Sequence, residues 1–277
     1  MRKTLADGNN LLYAWFEAMN TRVDALFYAA IPHHDLEQIA TAIQDKIRKI
    51  EAIANRFNPK SELYQLNKQA FAQPFPISKE LAEMINECLV FHKKTFGCFD
   101  ITVNSHNNFR YGADNILLDV EKKTVQLRHR DVQVDLNGYV KGYALRAAVQ
   151  MLRENAIRNA LINMGNSSIQ AIGNHPNGEG WSVGLDPAFN KSVATVTLHD
   201  ECLTTSGNGT GKPRHIINPA TGELVGEAAT VSVVTSDAAL GEILSTALFV
   251  ADASQQKSML EQLPVKLVGE CQRPFAT

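Results

Sequence analysis

The stretch VDLNGYVKGYALRAAV, residues 134–149, joins two kinds of predicted secondary structure. Its first residues continue an alternating apolar pattern that ends at Asp135, which predicts a strand. Its later residues repeat apolar side chains at helical spacing, which predicts an amphipathic helix. Between the two lie Asn137-Gly138 and Lys141-Gly142. A lysine in the first turn of a helix opposes the helix dipole, which favours a functional Lys141 over a merely solvated one.

Helical and strand-like patterns alternate irregularly on both sides of this stretch. Apolar periodicity predicts helices over residues 35–55, 78–94 and 236–251, the second capped by Ser78. The strand-like segments are ILLDV, KTVQL and VQVDL between residues 116 and 136, followed by ALINMG, SIQAIG, WSVGLDP, VATVTLH and ATVSVVT. The order is not a regular βαβ alternation, so we expect an α+β fold with a mostly antiparallel sheet and flanking helices. No linker or repeat divides residues 1–277, which predicts a single domain.

The composition is that of a globular protein with a large core. The chain has 277 residues, 44% of them hydrophobic, and its 27 basic residues nearly balance its 29 acidic ones. No nucleic-acid surface or polybasic membrane surface is expected. The four cysteines are scattered, which argues against a zinc site. Asp7, Gly8, Asn9 and Asn10 interrupt the N-terminal segment before an apolar run of about seven residues can form. We therefore expect no signal peptide, lipid-anchoring cysteine or membrane span, and a cytoplasmic location unless an export segment has been removed.

The common catalytic motifs are absent: there is no GxGxxG after a strand, no Walker sequence, no GxSxG and no HExxH. The richest remaining stretch is residues 204–223, whose glycines could let backbone N–H groups approach an anion. An exposed loop is the competing interpretation. His215 precedes two isoleucines, so it is either a ligand contact or a buried structural imidazole.

Three other signals each have a structural alternative. Glu242 and Thr246 are four residues apart on the predicted last helix, which places two oxygen ligands suited to Mg²⁺ on one face. Thr246 could instead bond to its own helix backbone. Asp100 and Asp135 could be turn formers at strand ends. Ser61 could simply cap a helical turn.

Taken in order, these segments resemble the ApbE-type FAD:protein FMN transferases, formerly described as thiamine-biosynthesis lipoproteins. The resemblance spans about residues 15–251. It is carried by AMNTRVDALF, RFNPKSELYQLN, FDITV, VDLNGYVKGYA, LINMG, WSVGLDP, LTTSGN, RHIINPATG and EILSTALF.

The resemblance implies a large α+β domain that binds FAD in a cleft between two lobes. It implies Mg²⁺ or another divalent cation, held by Glu242 and Thr246 with backbone oxygen from the region of Asn137. Asp135 and Lys141 would organise the phosphate end, and Asp135, His215 and Glu242 are candidates for the general base. The implied flavin-nucleotide contacts are Met19, Leu66, Asn67, Asp100, Gly165, Thr204, Thr205, Ser206, Gly207 and His215.

The implied reaction transfers FMN from FAD to a threonine of an acceptor protein and releases AMP. The chain departs from the family pattern at four places: Glu242 replaces Asp, Asn137 replaces Gly, Asn218 replaces Asp, and Gly165-Asn166-Ser167 replaces a GGD-like turn. Two alternatives are therefore open. The protein could bind FAD without efficient transfer, or it could split FAD into FMN and AMP with water as acceptor.

Overall fold

The protein, analysed as a computed structural model, is described here over residues 1–5, 8–105, 112–185, 195–208, 215–225 and 230–270. Six helices lie in this part of the chain: α1 (His33–Ala54), α2 (Glu62–Gln69), α3 (Lys79–Lys94), α4 (Val140–Glu154), α5 (Ala238–Val250) and α6 (Ala253–Gln262). The predicted helices correspond to α1, α3, α4 and α5. The periodic patterns therefore located all the long helices, while α2 and α6, both short, were not predicted as helices.

One large antiparallel sheet forms the centre of the molecule. Its eight strands have the order β1-β2-β3-β7-β8-β11-β12-β13. The bounds are β1 (Arg2–Thr4), β2 (Asn10–Ala18), β3 (Thr21–Ala29), β7 (Asn159–Met164), β8 (Ser168–Ile172), β11 (Cys202–Gly207), β12 (Thr230–Thr235) and β13 (Lys266–Glu270). All its neighbouring strands pair antiparallel, which confirms the predicted α+β class.

The two faces of the large sheet are covered differently. Alternate strand residues such as Val23, Met164 and Val233 point to the helices and join the main hydrophobic core. The opposite face carries a hairpin of β9 (Trp181–Gly184) and β10 (Thr195–Leu198), which forms a smaller core with Ile169 and Leu203. The period-2 alternation of these strands thus separates a helix layer from a hairpin layer.

A second, three-stranded sheet contains β4 (Phe75–Pro76), β6 (Thr124–Leu127) and β5 (Ile116–Asp119) in that order. The predicted third strand of this meander, VQVDL, is wrong. Its backbone groups bond elsewhere: Val134 N–H donates to Asn67 Oδ1 at 2.8 Å, and Asn67 Nδ2 donates to the Val134 carbonyl at 2.9 Å. Asp135 N–H donates to the Ile101 carbonyl at 2.8 Å. A side-chain amide therefore replaces the strand partner that the pattern suggested.

Two glycines allow helix α5 to pack closely on its neighbours. A Cβ atom at Gly142 of α4 would overlap the carbonyl oxygen of Ala238, at the start of α5. A Cβ atom at Gly241 of α5 would overlap the hydroxyl of Thr204 on β11. Gly142 therefore serves helix packing, and not the approach of backbone to a ligand. This packing brings the start of α4 beside the first half of α5.

The predicted loop 204–223 is in fact divided. Residues 204–207 belong to strand β11, which pairs with β12, because their β-branched and small side chains continue the sheet. Residues 209–214 of this stretch lie outside the described residues, as does Cys271. Among the described residues, no helix is long and apolar enough to span a bilayer.

Candidate functional site

A cleft of about 1250 Å³ opens at the ends of strands β7, β8 and β11. The start of α4, the middle of α5 and the segments 98–104 and 215–224 complete its walls. Its volume exceeds the roughly 300–1000 Å³ of most small-molecule pockets, so a ligand as large as a dinucleotide fits its size.

The polar end of the cleft contains Lys141 and Glu242. Lys141, in the first turn of α4, places Nζ 3.5 Å from Oε1 of Glu242 on α5. The Lys141 ammonium also donates to the hydroxyl of Ser167, and the hydroxyl of Ser168 donates to Glu242 Oε1. Glu242 is only 4% exposed, so it is not a solvated residue on the helix surface. A buried carboxylate requires such partners.

Thr246 lies one helical turn beyond Glu242, and its hydroxyl faces the cleft. Its Oγ1 is hydrogen-bonded to Ser206 Oγ at 3.0 Å. Ser206 is also bonded to Ser245 Oγ at 2.8 Å. A Cβ atom at Gly138 would lie 3.9 Å from Thr246 Oγ1, so the backbone of the Asn137-Gly138 turn passes beside this hydroxyl. The backbone beside Asn137 therefore lies next to Thr246, one member of the predicted i, i+4 pair.

The donors at this place suit a hard divalent cation. Glu242 offers a carboxylate and Thr246 offers a hydroxyl, which are ligand types that Mg²⁺ takes. The described residues contain no group of three histidine, cysteine or acidic side chains, so nitrogen or sulfur ligands of the kind zinc prefers are not gathered in that part of the chain. Lys141 is the competing charge in this arrangement.

Asp135 organises the loop before α4 and does not pair with Lys141. Its Oδ2 accepts from Asn104 Nδ2 at 2.6 Å and lies 3.1 Å from a guanidinium nitrogen of Arg56. Its Oδ1 accepts from the backbone N–H of Asn137 at 2.9 Å. These contacts support a role for Asp135 in orienting the loop before α4.

Asp100 also lines the cleft but is largely committed to its own turn. Its Oδ1 accepts from the backbone N–H and the hydroxyl of Thr102, each at 2.6 Å. Burial raises the pKa of the Asp100 carboxyl, and the hydrogen bonds from Thr102 oppose that shift. Neighbouring Cys98 lines the cleft too, where burial raises the pKa of its thiol to about 11. Cys98 is thus a neutral thiol near pH 7 and a poor nucleophile.

His215 lines the cleft and is exposed, so the interpretation as a buried structural imidazole is wrong. The backbone N–H of His215 donates to Asn208 Oδ1 at 3.4 Å. The apolar residues that line the cleft are Ile169, Val183, Leu185, Leu203, Ile216, Ile217, Pro219 and Leu224.

The cleft gathers most of the residues predicted from sequence, namely Asp100, Asp135, Asn137, Lys141, Gly165, Thr205, Ser206, Gly207, His215, Glu242 and Thr246. Four are not among its lining residues. Leu66 is fully buried in the core, Asn67 holds the backbone of Val134, and Thr204 is buried beneath α5. Met19 forms the β2–β3 turn with a positive φ of 51° and packs against the core.

Three polar residues of the cleft had no predicted role, namely Arg56, Asn104 and Ser167. Arg56 is the first residue of the segment RFNPKSELYQLN, but nothing local showed that its partner would be the distant Asp135. Ser61, by contrast, caps α2 by accepting from Tyr64 N–H at 3.1 Å, which confirms its structural interpretation.

Comparison with known proteins agrees with this geometry. The sequence profile of the ApbE family matches residues 19–268. The chain belongs to the ApbE family. Relatives named FAD:protein FMN transferase include one from Chlamydia muridarum, 26% identical over 75% of this chain and 74% of its own length. Another, from Haemophilus influenzae, is 24% identical over 88% of this chain and 80% of its own length.

Solved ApbE structures share the fold. The flavin transferase ApbE from Vibrio cholerae superposes with a TM-score of 0.81 at 19% identity, covering 94% of this chain and 93% of that one. The apo form of the flavinyl transferase ApbE from Pseudomonas stutzeri also gives a TM-score of 0.81, at 15% identity, covering 92% and 89%. Both comparisons confirm the mixed helix and antiparallel-sheet architecture predicted from the sequence.

Proposed function

We propose that this protein transfers FMN from FAD to a threonine hydroxyl of an acceptor protein, with a divalent cation, Mg²⁺ in the first instance, and releases AMP. Membership of the ApbE family and the names of the relatives support FMN transfer from FAD to protein. The observation that carries the proposal for this chain is the meeting of Lys141, Glu242 and Thr246 at the polar end of a cleft of dinucleotide size.

The two ends of the cleft suit the two parts of FAD. The apolar wall that includes Leu203, Ile216 and Ile217 offers surface for a flat aromatic ring. The end of the cleft with Glu242 carries the ammonium of Lys141, which is suited to a phosphate as a point charge. We assign the pyrophosphate to this end.

In the proposed reaction, the acceptor oxygen forms a bond to the phosphorus of the FMN half. The bond from that phosphorus to the bridging oxygen breaks, and AMP leaves with this oxygen. The hydroxyl proton passes to a base. When bound, a divalent cation on Glu242 and Thr246 would neutralise part of the charge on the phosphate oxygens. Lys141 stabilises the same charge, so catalysis depends mainly on positioning and electrostatics.

Among the candidate bases, we favour His215. Asp135 accepts hydrogen bonds from Asn104 and Asn137 and pairs with Arg56, while Glu242 is engaged by Lys141 and Ser168. His215 lines the cleft, and an imidazole nitrogen there is a group of the type that accepts a proton from a hydroxyl. Replacing His215 by Asn would then lower the rate of transfer more than it weakens FAD binding.

Intact mass spectrometry of an acceptor domain tests the proposal. The domain is incubated with this protein, FAD and Mg²⁺, beside a matched domain whose target threonine is replaced by valine. A mass increase of one FMN less one water on the threonine domain alone supports the proposal. Free FMN and AMP without the increase would indicate hydrolysis, and bound FAD without either product would indicate a binding protein.

A further inference from the structure

The carboxylate expected to hold a cation already has a cationic neighbour. Lys141 Nζ lies 3.5 Å from Glu242 Oε1, and their side chains are 22% and 6% exposed. Adjacent serines hold the two partners, since the ammonium donates to Ser167 and Ser168 donates to the carboxylate. Ser167 and Ser168 thus hold the pair where the turn after β7 leads into β8.

The two members of this pair differ in freedom to move. Glu242 is almost fully buried in the middle of α5 and is fixed by the hydroxyl of Ser168. Lys141 is more exposed, and its flexible four-carbon stem reaches into the open cleft. A change of partner at this site would therefore move the lysine and leave the carboxylate in place.

A divalent cation and the Lys141 ammonium compete for the same oxygen, because two cations held close together repel each other. The ammonium of Lys141 also has to leave Glu242 in order to contact a phosphate elsewhere in the cleft. Occupation of Glu242 by a metal would thus free Lys141 for the phosphate.

We infer that Lys141 is the counter-cation of Glu242 in the free protein, and that a divalent cation displaces it towards the substrate pyrophosphate. This inference rests on the proposed function, because it uses the cation and phosphate assigned there. It adds a coupling: metal and nucleotide each favour the same position of Lys141, so each raises the affinity for the other by the same factor.

Calorimetric titration of the nucleotide-free protein with Mn²⁺ alone tests this inference. Lys141→Met should bind Mn²⁺ about tenfold more tightly than the parent, a change of about 1.4 kcal/mol, because the competing cation is gone. Arg56→Met is the matched control, since it removes a cation of the same cleft that pairs with Asp135 instead. Its affinity for Mn²⁺ should change by less than about twofold. Lys141→Gln provides a second variant, and thermal unfolding verifies that each protein is folded.

Three results would overturn the inference: equal affinity in parent and Lys141→Met, weaker binding in Lys141→Met, or the same tightening in Arg56→Met. Glu242→Gln should lose Mn²⁺ binding, which locates the ion. If neither the parent nor Lys141→Met binds Mn²⁺, the metal part of the proposed function falls together with this inference. If the parent transfers FMN with a metal and Lys141→Met binds Mn²⁺ no more tightly, only the role of Lys141 as counter-cation falls.

Discussion

At the scale of single residues, Glu242 and Thr246 decide whether the cleft holds a catalytic cation. Thr246→Val removes a hydroxyl and keeps the volume on a helix, so we expect the fold to persist and metal-dependent activity to be lost. Glu242→Gln should also lose activity, because Mg²⁺ prefers a charged oxygen. Glu242→Asp, which restores the usual family residue, should keep or raise it. Titrating Mg²⁺ against transfer rate for the four proteins measures this, and identical metal curves would exclude both residues as ligands.

Lys141 is a further single residue whose replacement should slow the chemical step. Lys141→Ala should lower kcat by about tenfold to a hundredfold while changing KM for FAD much less, since the ammonium meets charge that develops on phosphate. Steady-state kinetics with FAD as the varied substrate separates the two constants. An unchanged kcat would remove Lys141 from the mechanism.

At the scale of helices and strands, the contact between α4 and α5 sets the distance between Lys141 and Glu242. Gly142→Ala would force a methyl group into the carbonyl of Ala238, so we expect a loss of about 1–3 kcal/mol in the free energy of unfolding. Gly138→Ala is the control, because its Cβ atom would lie 3.6 Å from the nearest atom, a ring carbon of Phe99. Chemical denaturation of both variants gives the comparison. Equal stabilities would show that α4 and α5 can separate slightly at no cost.

Arg146 joins three helices in the same region. Its guanidinium donates twice to Glu87 of α3 and twice to Asp237, the residue that caps α5, at 2.6–2.7 Å. Arg146→Leu leaves two partly buried carboxylates without this partner, and we expect a loss of about 1–3 kcal/mol in unfolding free energy. Arg153→Leu on the same helix should cost much less, because Arg153 is 62% exposed and 4.0 Å from Asp200. Similar losses in both would mean that the three-helix junction adds nothing.

At the scale of the whole molecule, the cleft should bind FAD through both of its halves. We expect FAD to bind more tightly than FMN, because the adenine nucleotide contributes contacts before it leaves as AMP. Fluorescence titration of the two flavins without added metal makes the comparison. Tighter binding of FMN would count against a transferase, since the adenine nucleotide would then add nothing to the affinity.

The sequence predicted the α+β class and the long helices because their apolar periods are strong and local. It also predicted that Glu242 and Thr246 lie on one face of a helix, because residues four apart are neighbours on a helix surface. It failed where a distant side chain decides the outcome. Asn67 takes the place of a strand beside Val134, and Arg56 pairs with Asp135. The packing role of Gly142 could not be predicted, because only the packed structure shows Ala238 against it.

We propose above all that this protein passes FMN from FAD to another protein. The most direct measurement is the stoichiometry of products in one reaction containing the parent protein, FAD, Mg²⁺ and an acceptor domain. AMP is quantified by chromatography, free FMN on the same chromatogram, and protein-bound FMN by intact mass. We expect one AMP released for each FMN attached, with no free FMN accumulating. AMP matched by free FMN, or no AMP at all from a folded protein that binds FAD, would contradict it.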